Sequence, residues 1–431
     1  MTQAHTDTPR RNSPGQVLFA SLIGTTVEFF DFYIYATAAV LVFPKAFFPS
    51  SDPTAAMLQS LITFALAFFA RPVGSAVFGH FGDRIGRKAT LVGALLTMGL
   101  STVAIGLLPT YETLGTTAAL LLALCRFGQG FGLGGEWGGA VLLATENAPP
   151  GKRAWYGMFP QLGAPIGFFM SGGIFLLLGK TLSEAEFFSW GWRVPFLASA
   201  VLVFVGLYVR LNITETPVFQ KTLEEDKRVK VPVLTVFRDH TRALILGTLG
   251  AMATFVLFYL MTVFALGWGT TALKFVRTDF LYIQLFAVLF FGLGIPLSAV
   301  LADRHGRRIT LILVSAAIAL AGFLMAPMFG SGSTVLVTAY LSLGMFLMGM
   351  TYGPLGTLLS EMFPTAVRYT GSSMTFNFAG ILGASLAPYL ATTLATKFGL
   401  ASVGWYLTLA ASITLVALVL SRPVHDSAFE H

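Results

Sequence analysis

The stretch GHFGDRIGRK at residues 79–88 returns as AVLADRHGRR at residues 299–308, about half a chain length later. Two further landmarks repeat in the same order and at nearly the same offset. They are the set Glu146, Pro149 and Arg153, which returns as Glu361, Pro364 and Arg368, and a Gly-Trp pair at 191–192, which returns at 404–405. Three landmarks in one order argue against coincidence. The sequence therefore predicts two halves of like architecture.

The composition indicates where these halves reside. Of the 431 residues, 55% are apolar and only 11% are charged, and the mean hydropathy is +0.75. Soluble domains carry about a quarter charged residues, so this composition excludes a soluble globular protein. A helix needs about 20 apolar residues to cross a bilayer. Twelve such runs occur, at residues 17–43, 55–79, 89–109, 115–145, 154–179, 191–210, 243–268, 279–302, 309–329, 334–360, 371–397 and 402–421.

These runs predict an all-α membrane protein of twelve transmembrane helices in two six-helix halves, and they exclude single-span receptors and β-barrels. Of the 27 Lys and Arg residues, 19 lie on the side of the N terminus, five lie on the other side and three lie within or at the edge of spans. The positive-inside rule then predicts that both termini are cytoplasmic.

The predicted organisation has five parts. They are a cytoplasmic tail at 1–16, an N-terminal half at 17–210, a cytoplasmic linker at 211–242, a C-terminal half at 243–421 and a cytoplasmic tail at 422–431. Because each half has an even number of spans, the halves are parallel repeats related by an axis along the membrane normal. This arrangement suits a transporter whose halves rock around a central site.

The repeated loop pattern G-x-x-x-D-R-x-G-R-K/R suits a latch that holds one conformational state. Glycine allows close helix approach, and the aspartate can cap a helix N-terminus or pair with an arginine. The second copy has Ala299 where the pattern has glycine, so we expect a looser latch there. The predicted latch residues are Gly79, Asp83, Arg84, Gly86, Arg87, Glu146 and Arg153, with Asp303, Arg304, Gly306, Arg307, Glu361 and Arg368.

This doubled loop pattern is highly characteristic of the major facilitator superfamily, which the chain resembles over essentially its whole length. Four further motifs resemble the metabolite:proton symporter family, and closely its shikimate-transporter-like branch of inner-membrane transporters. They are VEFFDFYIY at 27–35, ARPVGSAVFGHFGDRIGRK at 70–88, RFGQGFGLGGEWGGA at 126–140 and WGWRVPF at 190–196. Relatives in that family carry organic acids such as 2-oxoglutarate, citrate and shikimate, or zwitterions such as proline and betaine. The resemblance implies proton-coupled uptake, with the proton gradient as energy source and no cofactor. It leaves the substrate open, because family members share these motifs while differing in cargo.

Five ionisable residues lie well inside the predicted spans, and all of them are in the N-terminal half: Glu28, Asp31, Arg71, Arg126 and Glu136. On insertion scales each costs roughly 2.5 to 3.5 kcal/mol near the bilayer centre, so these groups must pair, become neutral or face water. The energetics of coupling are therefore expected to reside in this half.

Glu28 and Asp31 are three residues apart and lie on one face of the first span. Arg126 lies at mid-depth in the fourth span, and with Gln129 and Gly130 it matches the R-x-x-Q-G pattern of the family. A first-span acid that faces a fourth-span arginine is a recurrent proton-coupling pair in the superfamily. Arginine stays charged, so the proton carrier must be a carboxylate, Asp31 first and Glu28 second. The alternative is a permanent Asp31–Arg126 salt bridge that only fixes helix packing.

Arg71 precedes Pro72, at a position where proline frees a backbone carbonyl and favours a kink. Its guanidinium either clamps a substrate carboxylate with two hydrogen bonds or pairs with Glu28 or Glu136. Glu136 in turn is either part of the site or structural. The predicted substrate-binding residues are Arg71, Arg126, Gln129, Glu136, Gln161, Tyr259, Tyr352 and Asn377, and further candidates are Tyr33, Trp137, Trp268 and Gln284.

The chain has no HExxH, GxSxG or P-loop motif and a single cysteine, Cys125, so the sequence predicts neither an enzyme nor a metal centre. We expect a secondary transporter that imports a small organic acid with protons across the inner membrane. Its expected partners are the substrate, protons and the lipid bilayer, without nucleic acid or an obligatory protein partner, and the expected state is a monomer. The alternatives are a zwitterion symporter and an exporter that works by proton exchange.

Overall fold

The computed structural model describes residues 13–85, 87–211, 232–364 and 367–421, with the side chains of all of these except residues 79–90 and 146. Helices account for the secondary structure of this part of the chain, which contains no strand. That outcome follows from the setting, because a helix satisfies its own backbone hydrogen bonds in lipid. We name the transmembrane segments span one to span twelve in chain order. The side on which span one begins is called the inner side, and the opposite side is called the outer side.

The N-terminal half contains spans one to six. They are Pro14–Leu41, Pro53–Ile85, Arg87–Leu107, Thr116–Leu133 with Trp137–Glu146, Arg153–Thr181 and Val194–Leu211. Shorter helices at the span ends are Phe43–Ala46, Tyr111–Leu114, Glu184–Ser189 and the 3₁₀ turn Gly191–Arg193.

The C-terminal half contains spans seven to twelve. They are Thr241–Tyr259 continued by Leu260–Phe264 and Ala265–Thr271, Arg277–His305, Arg307–Gly322 with Met325–Met328 and the 3₁₀ turn Phe329–Ser331, Thr334–Glu361, Arg368–Gly380 continued by Ile381–Ser385 and Ala387–Phe398, and Leu400–Leu420.

All twelve predicted spans are present as helices. Within the described ranges, ten are long and apolar enough to cross a membrane by themselves. Span three is shorter, with its apolar part at Leu91–Leu107, and span nine is bent by 52° between Gly322 and Met325. The predicted all-α, twelve-helix fold is therefore confirmed.

The predicted linker contains a short helix, Pro232–Asp239, whose Val236 packs with Leu244, Phe363 and Val367 of the C-terminal half. The remainder of the linker at 212–231 lies outside the described residues, as do the tails through residue 12 and from residue 422. The division into tails, halves and linker stays a prediction.

Glycines bring the backbones of neighbouring spans together, as small residues do in membrane bundles. A Cβ atom at Gly130 of span four would overlap the Ala67 carbonyl of span two and lie 2.5 Å from the Ala67 Cα. In the C-terminal half, a Cβ at Gly294 would lie 3.0 Å from the Gly349 Cα. Spans two and four, and spans eight and ten, therefore form two tightly packed pairs.

The two halves meet where span five packs along span eight and span two packs along span eleven. Span seven contains a π-helical segment, Leu260–Phe264, directly after Tyr259. Gln284 of span eight donates a hydrogen bond to the Thr262 carbonyl at 2.8 Å, and so satisfies a backbone group that the irregular turn exposes. Irregular backbone thus lies beside the centre of the molecule.

Candidate functional site

Asp31 lies in the interior of the N-terminal half, where its side chain is fully buried. The Ser199 hydroxyl of span six donates a hydrogen bond to Asp31 Oδ1, and Thr102 of span three lies beside the same carboxyl group. Asp31 Oδ2 has no hydrogen-bond partner among the described residues. One oxygen of this buried acid is therefore held in place, and the other is open to a proton.

Arg126 is also fully buried, and its contacts are mainly to neutral groups. Its Nε and Nη2 each donate to the Phe64 carbonyl of span two at 3.3 Å, and its Nη1 donates to Gln129 Oε1 at 3.1 Å. The Tyr35 ring centre lies 4.0 Å from the guanidinium carbon, which adds a cation–π contact. These contacts fix the arginine between spans one, two and four.

The described ion pairs do not include a direct contact between Asp31 and Arg126. The two residues are connected instead by polar side chains. Gln129 accepts from Arg126, and its Nε2 donates to Thr102 Oγ1 at 2.8 Å, beside the Asp31 carboxyl. The predicted proton-coupling pair thus belongs to one network, with an amide and a hydroxyl group between its charges.

Arg71 lies in span two with only 4% of its surface exposed. Its guanidinium carbon stands 4.8 Å from the Phe32 ring centre and 5.3 Å from that of Phe68. Its Nε has no hydrogen-bond partner, and Arg71 forms no ion pair with any described residue. It is a buried cation that lies over aromatic rings and forms no direct ion pair with a described residue, while the Glu28 carboxyl group interacts with it through space.

Glu136 forms a buried ion pair with Arg210. Arg210 Nη1 and Nη2 donate to the two carboxylate oxygens at 2.8 and 2.9 Å, and Nη1 also donates to the Leu91 carbonyl at 2.8 Å. The pair exists because span four is interrupted after Leu133, which turns Glu136 towards the end of span six. Glu136 therefore contacts Arg210, and not Arg71 as one of the predicted alternatives had it.

Aromatic rings from both halves fill the centre between Arg71 and Arg126. The Tyr259 ring centre lies 5.5 Å from those of Phe64 and Phe68, and the Tyr33 ring centre lies 5.3 Å from that of Phe258. The Tyr352 ring centre lies 6.3 Å from that of Phe29, which belongs to the other half. Two of the predicted substrate-binding residues, Tyr259 and Tyr352, therefore lie at this centre.

A second group of predicted residues joins the halves on the inner side of the centre. Trp137 stacks on Phe376 with 3.6 Å between ring centres. Gln161 accepts from Trp137 Nε1 at 3.1 Å and donates to the Tyr352 carbonyl at 3.1 Å. Asn377 Nδ2 donates to Ser75 Oγ at 2.7 Å. These contacts close the passage between the halves towards the inner side.

The second copy of the latch motif also joins the halves. Lys152, the residue directly before span five, makes no side-chain cap. Asp303 of span eight accepts instead from the backbone N–H groups of Ala154 and Trp155 at 3.0 and 2.9 Å. The carboxylate thus satisfies two N–H groups that a helix start leaves without partners.

Other predicted latch residues lie around Asp303. Arg307 Nη2 lies 3.7 Å from Asp303 Oδ1 and 3.3 Å from Glu361 Oε1. The Arg153 carbonyl accepts a hydrogen bond from the Thr357 hydroxyl. Arg368 Nε donates a hydrogen bond to the Phe363 carbonyl. Arg304 and Gly306 lie at the exposed end of span eight. The remaining predicted latch residues fall on positions whose surroundings lie outside the described part of the chain: Gly79, Asp83, Arg84, Gly86, Arg87 and Glu146.

The halves also contact each other on the outer side. Arg277 Nη2, at the start of span eight, donates to Glu184 Oε1 at 2.8 Å, and the Arg277 guanidinium lies over the Phe187 ring. The halves therefore contact each other on both sides of the centre. Among the described residues, no three His, Cys, Asp or Glu side chains come together as a metal site requires.

Ser199, Thr102 and Arg210 are site residues that the sequence did not predict. Ser199 and Thr102 are two of many hydroxyl residues in the spans and carry no distinguishing pattern. Arg210 ends an apolar run and reads as part of the basic inner surface. Its pairing was detectable only from the depth of Glu136, an acid ten residues beyond Arg126 that needs a partner.

Comparison with known proteins identifies the family. The family model described as Major Facilitator Superfamily matches residues 21–384. The inner membrane metabolite transport protein YhjE of Escherichia coli K12 is 60% identical over 416 residues, which cover 95% of this chain and 94% of that protein. The shikimate transporter of the same organism is 34% identical over 381 residues, with 88% and 87% covered. The structure of the proton:xylose symporter XylE bound to 6-bromo-6-deoxy-D-glucose has a TM-score of 0.72 at 17% identity, with 94% of each chain covered. A matching family model over most of the chain, close full-length relatives and the twelve-span fold lead to one conclusion: the chain is a transporter and not an enzyme, and it belongs to the major facilitator superfamily.

Proposed function

We propose that this transporter is a proton-coupled symporter of the inner membrane that imports a small organic acid by alternating access. The observation that carries the proposal is Arg71, a buried cation at the aromatic centre that forms no direct ion pair with a described residue and interacts with Glu28 only through space. The other two deep arginines of the half, Arg126 and Arg210, are held by hydrogen bonds.

An organic acid would supply the partner that Arg71 lacks. A buried charge is costly unless it is paired, and a guanidinium binds a carboxylate through two parallel hydrogen bonds. The open Nε of Arg71 is one of the donors for such a fork. The name of one relative, the shikimate transporter, is that of a carrier for a carboxylic acid, and this agrees with an anionic cargo.

The proton is assigned to Asp31. Burial favours the neutral form of a carboxyl group and a neighbouring cation favours the charged form, so a carboxyl group that moves relative to Arg126 takes up and releases a proton. Gln129 and Thr102 lie between the two charges and would transmit such a change. Protonation from the outer side and release on the inner side would drive the substrate inwards.

Two sets of contacts would open in turn during the cycle. The Glu184–Arg277 ion pair would break to admit the substrate from the outer side. The Asp303 cap and the Trp137–Phe376 stack would break to release it on the inner side. The contacts present on both sides of the centre agree with a state between these two events.

The test is substrate-driven proton uptake into proteoliposomes that contain a pH-sensitive dye. We would add shikimate, 2-oxoglutarate, citrate and glycine betaine in turn, to the native protein and to Asp31→Asn and Arg71→Gln. An acid that drives proton uptake in the native protein, but not in Asp31→Asn, supports symport with Asp31 as carrier. Arg71→Gln is expected to lose binding of that acid.

The matched control is Asp279→Asn, which makes the same chemical change at an exposed position at the outer end of span eight. It should leave coupling unchanged. Substrate movement without protons in the native protein would overturn the proposal. Normal coupling in Asp31→Asn would transfer the role of carrier to another carboxyl group.

A second candidate cargo is a zwitterion of the betaine type. Tyr33, Tyr259 and Tyr352 are buried at the centre near Arg71, and aromatic rings bind quaternary ammonium groups through cation–π contacts. Arg71 would then hold the carboxylate of the same molecule. The glycine betaine arm of the experiment distinguishes this cargo from a simple acid.

A further inference from the structure

A small cavity lies inside the N-terminal half, apart from the passage between the halves. Its volume is about 60 Å³, and its lining comes from spans one, three, four and six, all within residues 20–210. The polar lining residues are Ser21, Thr25, Glu28, Glu136 and Arg210. Most of the lining surface is apolar, and roughly 10 to 15 Å³ is enough for one water molecule where polar groups can bind it.

Two of the lining groups lack protein partners. The Ser21 side chain is 5% exposed, and its hydroxyl has no hydrogen-bond partner among the described residues. Glu28 is 3% exposed and forms no direct ion pair with a described residue, although Arg71 and Arg210 interact with it through space. Buried polar groups without protein partners are satisfied by water. Water in this cavity is therefore expected at Ser21 and Glu28.

The cavity extends from the middle of span one towards the inner side. Ser21, Thr25, Glu28 and Asp31 follow one another at intervals of three or four residues, so they form one stripe along the helix. Ser21 and Thr25 lie in the inner half of the span, and Asp31 lies beyond the cavity at the far end of the stripe. Glu28 thus stands between Asp31 and the rest of the cavity.

We propose that this cavity is a proton port, through which Glu28 passes the proton of Asp31 to water on the cytoplasmic side while the passage between the halves is closed. The direction of proton movement rests on the proposed function. The port adds to that function a proton route that is separate from the substrate route. The Asp31 carboxyl gives its proton to the Glu28 carboxylate, and Glu28 then gives it to a water molecule, which leaves as hydronium.

The charged groups around Glu28 suit this role. Glu136, Arg71 and Arg210 act on the Glu28 carboxyl, and Tyr33 and Tyr352 lie near it on the side of the centre. The bidentate contact with Arg210 occupies both carboxylate oxygens of Glu136. Glu28 is then the lining carboxyl group that is left to take up the proton.

The experiment follows the Glu28 carboxyl by infrared spectroscopy in membrane vesicles, without any substrate. The carboxyl band that disappears in Glu28→Gln is assigned to this residue. The rate at which this band responds is then measured after a pH jump and after a change from H₂O to D₂O in the bath. The port predicts a rapid response in the native protein.

Ala140 lines the cavity, so Ala140→Leu fills it with an apolar side chain. We expect the response of the Glu28 band to slow by about 100-fold or more, the lower end of what a positioned proton-transfer group contributes. Ala20→Leu fills the same cavity from span one and replaces Ala140→Leu if that variant does not fold. Ala401→Leu, at an exposed position of span twelve, is the matched control and should respond as the native protein does.

An unchanged response in both filled variants would overturn the port. A band that follows sodium concentration and not pH would also overturn it, because the cavity would then be a cation site. These outcomes are independent of the dye assay. If Asp31→Asn shows normal proton uptake in the dye assay, the proposed coupling through Asp31 is wrong. The infrared measurement of the access of Glu28 to water would still hold.

Discussion

Replacing Asp303 with alanine should shift the transporter towards the state that is open on the inner side. Asp303 belongs to the C-terminal half, whereas the two N–H groups that it caps begin span five of the N-terminal half. The cap therefore exists only while the halves are together on the inner side. Lys152, at the helix start, makes no side-chain cap of its own, so no other described side chain replaces the lost carboxylate.

The magnitude follows from the two hydrogen bonds at 3.0 and 2.9 Å. Removing an aspartate cap costs a helix about 0.5 to 2 kcal/mol. Since this cost falls on the closed state alone, the ratio of open to closed molecules should rise by about twofold to thirtyfold. Asp303→Asn keeps an acceptor oxygen but loses the charge, so it should give a smaller shift.

The assay measures the distance between spin labels at Lys152→Cys and His305→Cys, two exposed positions on the inner side of opposite halves, in a Cys125→Ser background. Asp303→Ala should increase the population of the longer distance. The control Asp279→Ala removes an exposed aspartate from the other end of the same span and should leave the distances unchanged. A distribution in Asp303→Ala identical to that of the native protein would refute the reasoning.

Two further changes test how the N-terminal half is held together. Arg210→Leu leaves the buried carboxylate of Glu136 without a partner and should destabilise the protein by about 3 to 5 kcal/mol. Combining it with Glu136→Gln should restore much of the lost stability, because the buried charge is then removed. Thermal unfolding in detergent measures both variants, and an equal loss of stability in the two would contradict a buried ion pair. Gly130→Ala forces span four away from Ala67 of span two and should cost about 1 to 3 kcal/mol. Gly173→Ala, whose added Cβ would meet nothing within 4 Å, is its control and should unfold at the native temperature.

The twelve spans were predictable because lipid imposes one solution on an apolar run of this length. The doubled loop at 79–88 and 299–308 also identified the two halves. Local irregularities were not predictable in the same way. The bend of span nine is one example. The π-helical segment after Tyr259 is another, and it depends on a neighbour, because Gln284 supplies its amide from another span.

The buried charges were predictable as residues and not as contacts. Sequence reasoning found Asp31, Arg126 and Glu136 because an apolar setting makes charge conspicuous. It could not find that Arg126 is bound to a backbone carbonyl, since every residue carries one. Nor could it find that Glu136 contacts Arg210, because that pairing depends on the interruption of span four.

The contacts of these buried charges lie within the first six spans. Arg126 is bound to span two, Asp31 to span six, and Glu136 to the end of span six. During synthesis, the polar groups of spans one to six can therefore find each other before span seven leaves the ribosome. The buried charges and their partners are thus synthesised and inserted into the membrane first. The second half then packs against a first half whose polar interior is already assembled.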